Sequence, residues 1–87
     1  MNIKDLTELI NHKKVNAIIT LNGLVSLKQK VNNMSIIEKQ DNLCIREGNK
    51  DILYINKHQI MKIELLDNLI KIKLDQLLEI TIEFPET

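Results

Sequence analysis

Glycine, proline, cysteine and aromatic residues are all scarce in this chain. It has two glycines, one proline, one cysteine, one tyrosine, one phenylalanine and no tryptophan. Two aromatics, Tyr54 and Phe84, are too few for a base-stacking platform of the usual single-strand-binding kind or for an aromatic sugar-binding cleft. Gly23 and Gly48 lie far apart, so no glycine-rich loop is present to cradle a phosphate. A lone Cys44 excludes an intrachain disulfide. Its neighbours Leu43 and Ile45 mark it as a small strand residue. The chain has no CxxC, and His12 and His58 are not spaced as metal ligands to each other or to Cys44. The carboxylates form no paired-acid pattern. We therefore expect no catalytic residue, no metal, no cofactor and no enzymatic activity.

Long apolar runs are missing as well. None reaches the length that spans a bilayer. The opening stretch MNIKDLTELI carries Asp5 and Glu8 and no apolar segment of signal-peptide length, so the expectation is a cytoplasmic protein without a membrane partner. Excess charge is missing too: twelve Lys/Arg balance twelve Asp/Glu, which removes any global basic signal for nucleic acid. The charge is nevertheless uneven. Residues 1–62 hold ten Lys/Arg against six Asp/Glu, and residues 63–87 hold two against six. The plain reading is two solvated faces; a sharper one is an acidic segment that screens a basic site. The surplus of Ile, Lys and Asn, with a single Arg, suits the AT-rich genome of a low-GC bacterium or phage.

What is present is a globular composition, 44% hydrophobic, in a chain of one domain, residues 1–87. So short a chain buries a limited core, and a homo-oligomer is a reasonable remedy. Residues 2–12 read as a helix. Asn2 supplies the N-cap, Ile3, Leu6, Leu9 and Ile10 form one face, and Asp5 and Lys13–Lys14 suit the helix dipole. From Val15 the apolar period becomes two. Val15, Ala17, Ile19 and Leu21 lead to Asn22-Gly23, a strong hairpin signal. A three-residue turn is expected to set Leu21 opposite Val25 and Ile19 opposite Leu27. A bend at Asn32-Asn33 precedes a strand over 34–39. Turns at 40–42, Gly48-Asn49, Lys57-His58 and Asp67-Asn68 separate strands near 43–47, 51–56 and 60–65. The last segment, 69–84, reads as a hairpin. It buries Ile70, Ile72, Leu74, Leu78, Ile80, Ile82 and Phe84, with Lys73 opposite Glu79 and Lys71 beside Thr81. One helix followed by many short strands implies a mainly β fold: a small barrel or rolled antiparallel sheet over 15–65, plus the C-terminal β-hairpin.

The stretch INKHQIMKI interrupts an apolar ladder of Ile55, Ile60 and Ile63 with Lys57 and His58. Taken with the leading helix, the basic residues after it, and the stretches VNAIITLNG with its Leu21-Asn22-Gly23 turn, LVSLKQKV, DNLCI and ILYINKHQI, the chain resembles the Sm-like RNA-binding proteins, and among them the bacterial Hfq-like branch. The similarity covers roughly residues 3–65. It implies an Sm-like or SH3-like barrel assembled as a homo-oligomeric ring, with Lys57 contacting phosphate or a base edge and His58 offering a hydrogen bond to RNA. The chain departs from the family pattern where a glycine should bend the second strand, since Lys28, Gln29 and Lys30 stand there. It also adds the hairpin after residue 65. The alternative expectation is a small bacterial or phage protein-interaction module that binds a protein partner through its sheet or its acidic C-terminal hairpin.

Overall fold

The computed structural model describes residues 1–13, 16–75 and 78–85, with only the backbone at 12 and 13. Helix α1 spans Ile3–Lys13, close to the expected range, and the Asn2 cap is formed: its Oδ1 accepts the Asp5 N–H at 2.8 Å. Leu6 and Ile10 are fully buried, and Ile3 and Leu9 pack against the same core. The apolar spacing thus gives the helix one buried face, and each such side chain contributes about 1.5–3 kcal/mol of hydrophobic stabilisation.

Among the described residues eight strands follow: β1 (Ala17–Asn22), β2 (Ser26–Val31), β3 (Met34–Glu38), β4 (Asn42–Glu47), β5 (Lys50–Asn56), β6 (Lys62–Leu66), β7 (Leu69–Lys73) and β8 (Glu79–Glu83). They form two antiparallel sheets. One has five strands in the order β2-β1-β8-β7-β6, and the other has three in the order β3-β4-β5. The protein is mainly β with one N-terminal helix, as the change of period indicates. Val15, the expected start of the alternation, lies outside the described residues.

The chain passes from the larger sheet to the smaller at Asn32-Asn33. Asn33 takes the left-handed conformation there, at φ 54°, which Asn tolerates better than most residues. The Asn32 N–H reaches Glu47 Oε2 at 2.8 Å, and the Asn33 N–H reaches Asn16 Oδ1 at 3.1 Å. The bend thus falls at Asn32-Asn33, where the sequence places it.

The β1–β2 register differs from expectation. Leu21 pairs with Leu27, and Ile19 with Gln29. Asn22 continues the strand and faces Ser26, whose Oγ lies 3.1 Å from Asn22 Oδ1. The turn therefore comprises Gly23, Leu24 and Val25. A shift of two residues preserves which side chains share a face, because the strand period is two. It moves Val25 to the hairpin tip, though, and leaves Leu27 beside Leu21.

The C-terminal hairpin is the centre of the larger sheet, not an appendage. β8 pairs with β1 on one side and with β7 on the other. Ile70 faces Ile82, Ile72 faces Ile80 and Lys73 faces Glu79, the expected register. The row Leu21–Ile80–Ile72–Ile63 crosses four strands on the core face. Of the apolar residues assigned to that hairpin, Ile70, Ile72, Leu74, Ile80, Ile82 and Phe84 are buried, whereas Leu78 is exposed beyond the strand end. Loop residues 76 and 77 lie outside the described residues.

One polar contact ties the helix to the smaller sheet. The Asn11 carboxamide accepts the Ile36 N–H and donates to the Ile36 C=O, both at 2.8 Å. Ile36 lies on β3, an edge strand, and Asn11 completes its ladder as a neighbouring strand would.

Two outcomes test this packing in urea denaturation. Ile82→Asp places a carboxylate without a partner in the core and should cost more than about 4 kcal/mol. Thr81→Asp, opposite Lys71, should change stability by less than about 1 kcal/mol. Equal sensitivity at both positions contradicts the register. Asn11→Ala should cost about 1–3 kcal/mol, because it strands two backbone groups of Ile36.

Candidate functional site

Lys57 and His58 fall in a 3₁₀ turn, η1 (Lys57–Gln59), between β5 and β6. The sequence builds this turn locally. Asn56 caps it, accepting the His58 N–H at 2.9 Å, and the Ile60 N–H closes it on the Lys57 carbonyl at 3.2 Å. A further backbone bond, from Lys57 N–H to Asp41 C=O at 2.9 Å, fastens it to the β3–β4 turn. The turn therefore starts from a fixed backbone.

The two side chains differ. Lys57 Nζ bonds Glu38 Oε2 at 2.8 Å, and only 19% of the lysine side chain is exposed. Its charge is thus matched within the chain by the last residue of β3. No sequence motif signals this pair, whose members are nineteen residues apart. His58 is exposed. His12 carries no described side chain.

A second feature lies on the β4–β5 ladder. β4 and β5 are in register from Asn42↔Asn56 to Ile45↔Leu53, and then Arg46 pairs with Asp51, leaving Ile52 unmatched. This is a β-bulge, which turns two successive side chains toward one side. Ile52 and Leu53 both line a cavity of about 300 Å³, whose opposite wall is Ile19, Leu21, Leu27, Lys28 and Gln29 of the β1–β2 hairpin. β2 and β5 are each an edge strand of their sheet, so the groove lies between two open edges. All of Ser26–Lys30 is exposed, Leu27 at 61%, and at the hairpin tip Leu24 is 95% exposed. The exposed apolar residues Leu24, Val25 and Leu27 could be read from the sequence. The placement of Leu27 across from Ile52 and Leu53 could not, because it depends on the bulge.

Cys44 lies on the other face of the smaller sheet. It is 0% exposed, yet it stands apart from the main core cluster, between Ile37 of β3 and Tyr54 of β5. Polar side chains cover it. Tyr54 Oη donates to Asp51 Oδ2 at 2.7 Å, Lys39 Nζ sits 5.5 Å from the Tyr54 ring centroid, and Arg46 Nη2 donates to the Asn49 carbonyl at 2.6 Å. Arg46 Nε approaches Asp51 Oδ1 at 2.8 Å as an ion pair, although its N–H is not aimed along that line. Burial, then the hydrogen bond to Asp51, hold the Cys44 thiol above its ordinary pKa. The hydrogen bonds from Tyr54 and Cys44 hold Asp51 below the usual carboxylate range. A protonated, covered thiol is a poor nucleophile. Among the described residues, no group of three or more His, Cys, Asp or Glu side chains is placed to hold a metal ion.

No known family, curated protein or solved structure matches this chain. The functional reading therefore rests on the molecule itself.

The thiol gives a prediction whose sign follows from its raised pKa. The folded state favours protonated Cys44, so the stability this contributes is complete below the ordinary thiol pKa and is lost as pH rises through the folded value. Tyr54, raised chiefly by its hydrogen bond to Asp51, acts in the same direction at higher pH. Urea unfolding should show lower stability at alkaline than at neutral pH, and Cys44→Ala should lack the thiol part of that loss. A thiol reagent at neutral pH should label Cys44 far more slowly in the folded protein than in the unfolded chain.

Proposed function

We propose that this domain is a non-enzymatic protein-interaction module that takes an extended segment of a partner protein along the free edge of β2. The observation that carries this reading is the groove itself. An apolar cavity of about 300 Å³ opens beside a strand whose outer edge has no ladder partner among the described residues and whose residues Ser26–Lys30 are exposed. Strand addition would satisfy the edge through main-chain hydrogen bonds. Alternate side chains of the segment would then point between the sheets and meet Leu27, Ile52 and Leu53. The intervening ones would lie on the face that carries Lys28 and Lys30, where carboxylates are favoured. The fitting partner is thus an extended stretch alternating apolar and acidic residues. Two copies of β2 would instead set lysines against lysines, so this edge disfavours self-pairing.

The test is a titration of labelled peptides alternating Leu or Val with Glu, read by fluorescence anisotropy, against versions with Lys replacing Glu. The acidic series should bind, and more weakly as salt rises. Leu27→Asp should weaken binding at least about tenfold while leaving the fold intact, since the side chain is largely exposed. Lys28→Glu with Lys30→Glu should reverse the preference. No binding of either series removes the reading.

A second reading is the RNA-binding ring that the Sm-like resemblance implies, with Lys57 and His58 in the site. What supports it is the η1 turn, pinned by Asn56 and presenting His58 to solvent. In that reading a phosphate displaces Glu38 from Lys57, and binding falls with salt through counterion release. His58 offers a ring nitrogen to a base edge or ribose hydroxyl. Titration with labelled oligo-U decides it. Loss of binding in His58→Ala, together with tighter binding in Glu38→Ala, supports the ring, and no wild-type binding excludes it.

A further inference from the structure

We propose that the free edge of β6 is a homodimer interface, in which two copies pair antiparallel about Ile63 and join their five-stranded sheets into one. Among the described residues β6 has β7 as its only ladder partner. The two-residue turn Asp67-Asn68 closes Leu66 on Leu69. Backbone groups alternate in direction along an antiparallel strand. Counting back from that closing pair, Leu66, Glu64 and Lys62 give their N–H and C=O groups to β7, and Leu65 and Ile63 turn theirs to the open edge.

That alternation restricts the symmetric arrangements. A second β6 must bond through the outward residues, so the two-fold axis passes through one residue pair. With the axis at Lys62, lysine faces lysine; with the axis at Glu64, glutamate faces glutamate. With the axis at Ile63, Lys62 faces Glu64 of the second copy, and Glu64 faces Lys62 of the second copy. Only this last register converts both charges into cross-strand pairs. In the single chain Lys62 and Glu64 lie 3.4 Å apart at the surface, and Glu64 also stands opposite Lys71 of β7. Met61, 64% exposed, precedes β6 and already gives its backbone N–H to the Lys73 carbonyl at 2.8 Å, so in this register its side chain alone, without a ladder bond, comes beside Leu65 of the second copy, 47% exposed. The interface is self-complementary, which an isologous dimer requires. β2, with Lys28 and Lys30, has no such register.

The experiment is sedimentation equilibrium of the full chain across micromolar concentrations, with native mass spectrometry of mixtures. The wild type should have the mass of two chains. Lys62→Glu and Glu64→Lys each place like charges opposite one another twice, and should raise the dimer dissociation constant at least about tenfold. Lys62 is exposed and Glu64 is half-exposed opposite Lys71 of β7, so circular dichroism and urea unfolding check that each variant keeps its fold. Mixing the two single variants should restore a dimer containing one of each, because every facing pair is again opposite in sign. The variant carrying both changes should dimerise like the wild type. A wild type that stays monomeric overturns the proposal. So does a dimer or larger ring whose mass is unchanged by either single reversal, and so does a mixture that fails to form the mixed dimer. β2 takes no part, so this outcome is independent of the peptide titration.

Discussion

The structure depends on how the unpaired backbone groups at its sheet edges are handled. Among the described residues, splitting eight short strands between two sheets leaves four edge strands, β2, β6, β3 and β5, and an open edge invites any other strand to pair with it. Each edge carries a different device. β3 is closed by the Asn11 carboxamide, which takes both backbone groups of Ile36. β5 carries a bulge at Ile52 that breaks the regular spacing a template would need. β2 carries Lys28 and Lys30, which repel a second copy of itself. β6 carries Lys62 and Glu64, whose order is self-complementary. The functional proposals follow from this difference, since two edges are occupied or disrupted and two remain selective.

The central position of β7 and β8 changes the meaning of the acidic C-terminal segment. Glu79 lies between Asn22 of β1 and Lys73 of β7, and Glu83 lies between Ile18 and Leu69. These carboxylates sit on the solvated face of a sheet whose other face is the core. That placement matches two ordinary solvated faces, and it gives the acidic residues a cross-strand setting instead of a free tail. The apolar alternation of the same strands supplies Ile70, Ile72, Ile80 and Ile82 to the core cluster that α1 and the smaller sheet also enter.

Alternation made most of this legible. Period two in 69–84 located the hairpin, its faces and its pairing, because the strands are local and a short loop fixes their offset. The β1–β2 hairpin was legible in its faces but not in its register. Parity survives a slip of two residues, and the choice between a turn at 22–24 and one at 23–25 rests on a side-chain contact between Asn22 and Ser26. The helix was legible from its cap and its stripe, but the role of Asn11 was not. A carboxamide beside an apolar stripe is a weak signal, and its partner is twenty-five residues away. The same distance problem hid Glu38 from any reading of Lys57.

That hidden pair bears on what a cation in a short motif can mean. Lys57-His58 suggested a ligand site because polar residues interrupt an apolar ladder. The geometry separates the two. Lys57 is mostly covered and lies 2.8 Å from a carboxylate, so a phosphate must compete with a partner already in place, and the lysine's attraction for it is reduced by the opposite charge beside it. Lys28 and Lys30 are exposed on an open edge, and none of the ion pairs formed among the described residues engages them. In a chain of zero net charge, the cations available to an incoming acidic group are set by which lysines already have an acid. By that criterion the β2 edge, beside its apolar groove, is better prepared to attract an acidic group than the Lys57-His58 turn.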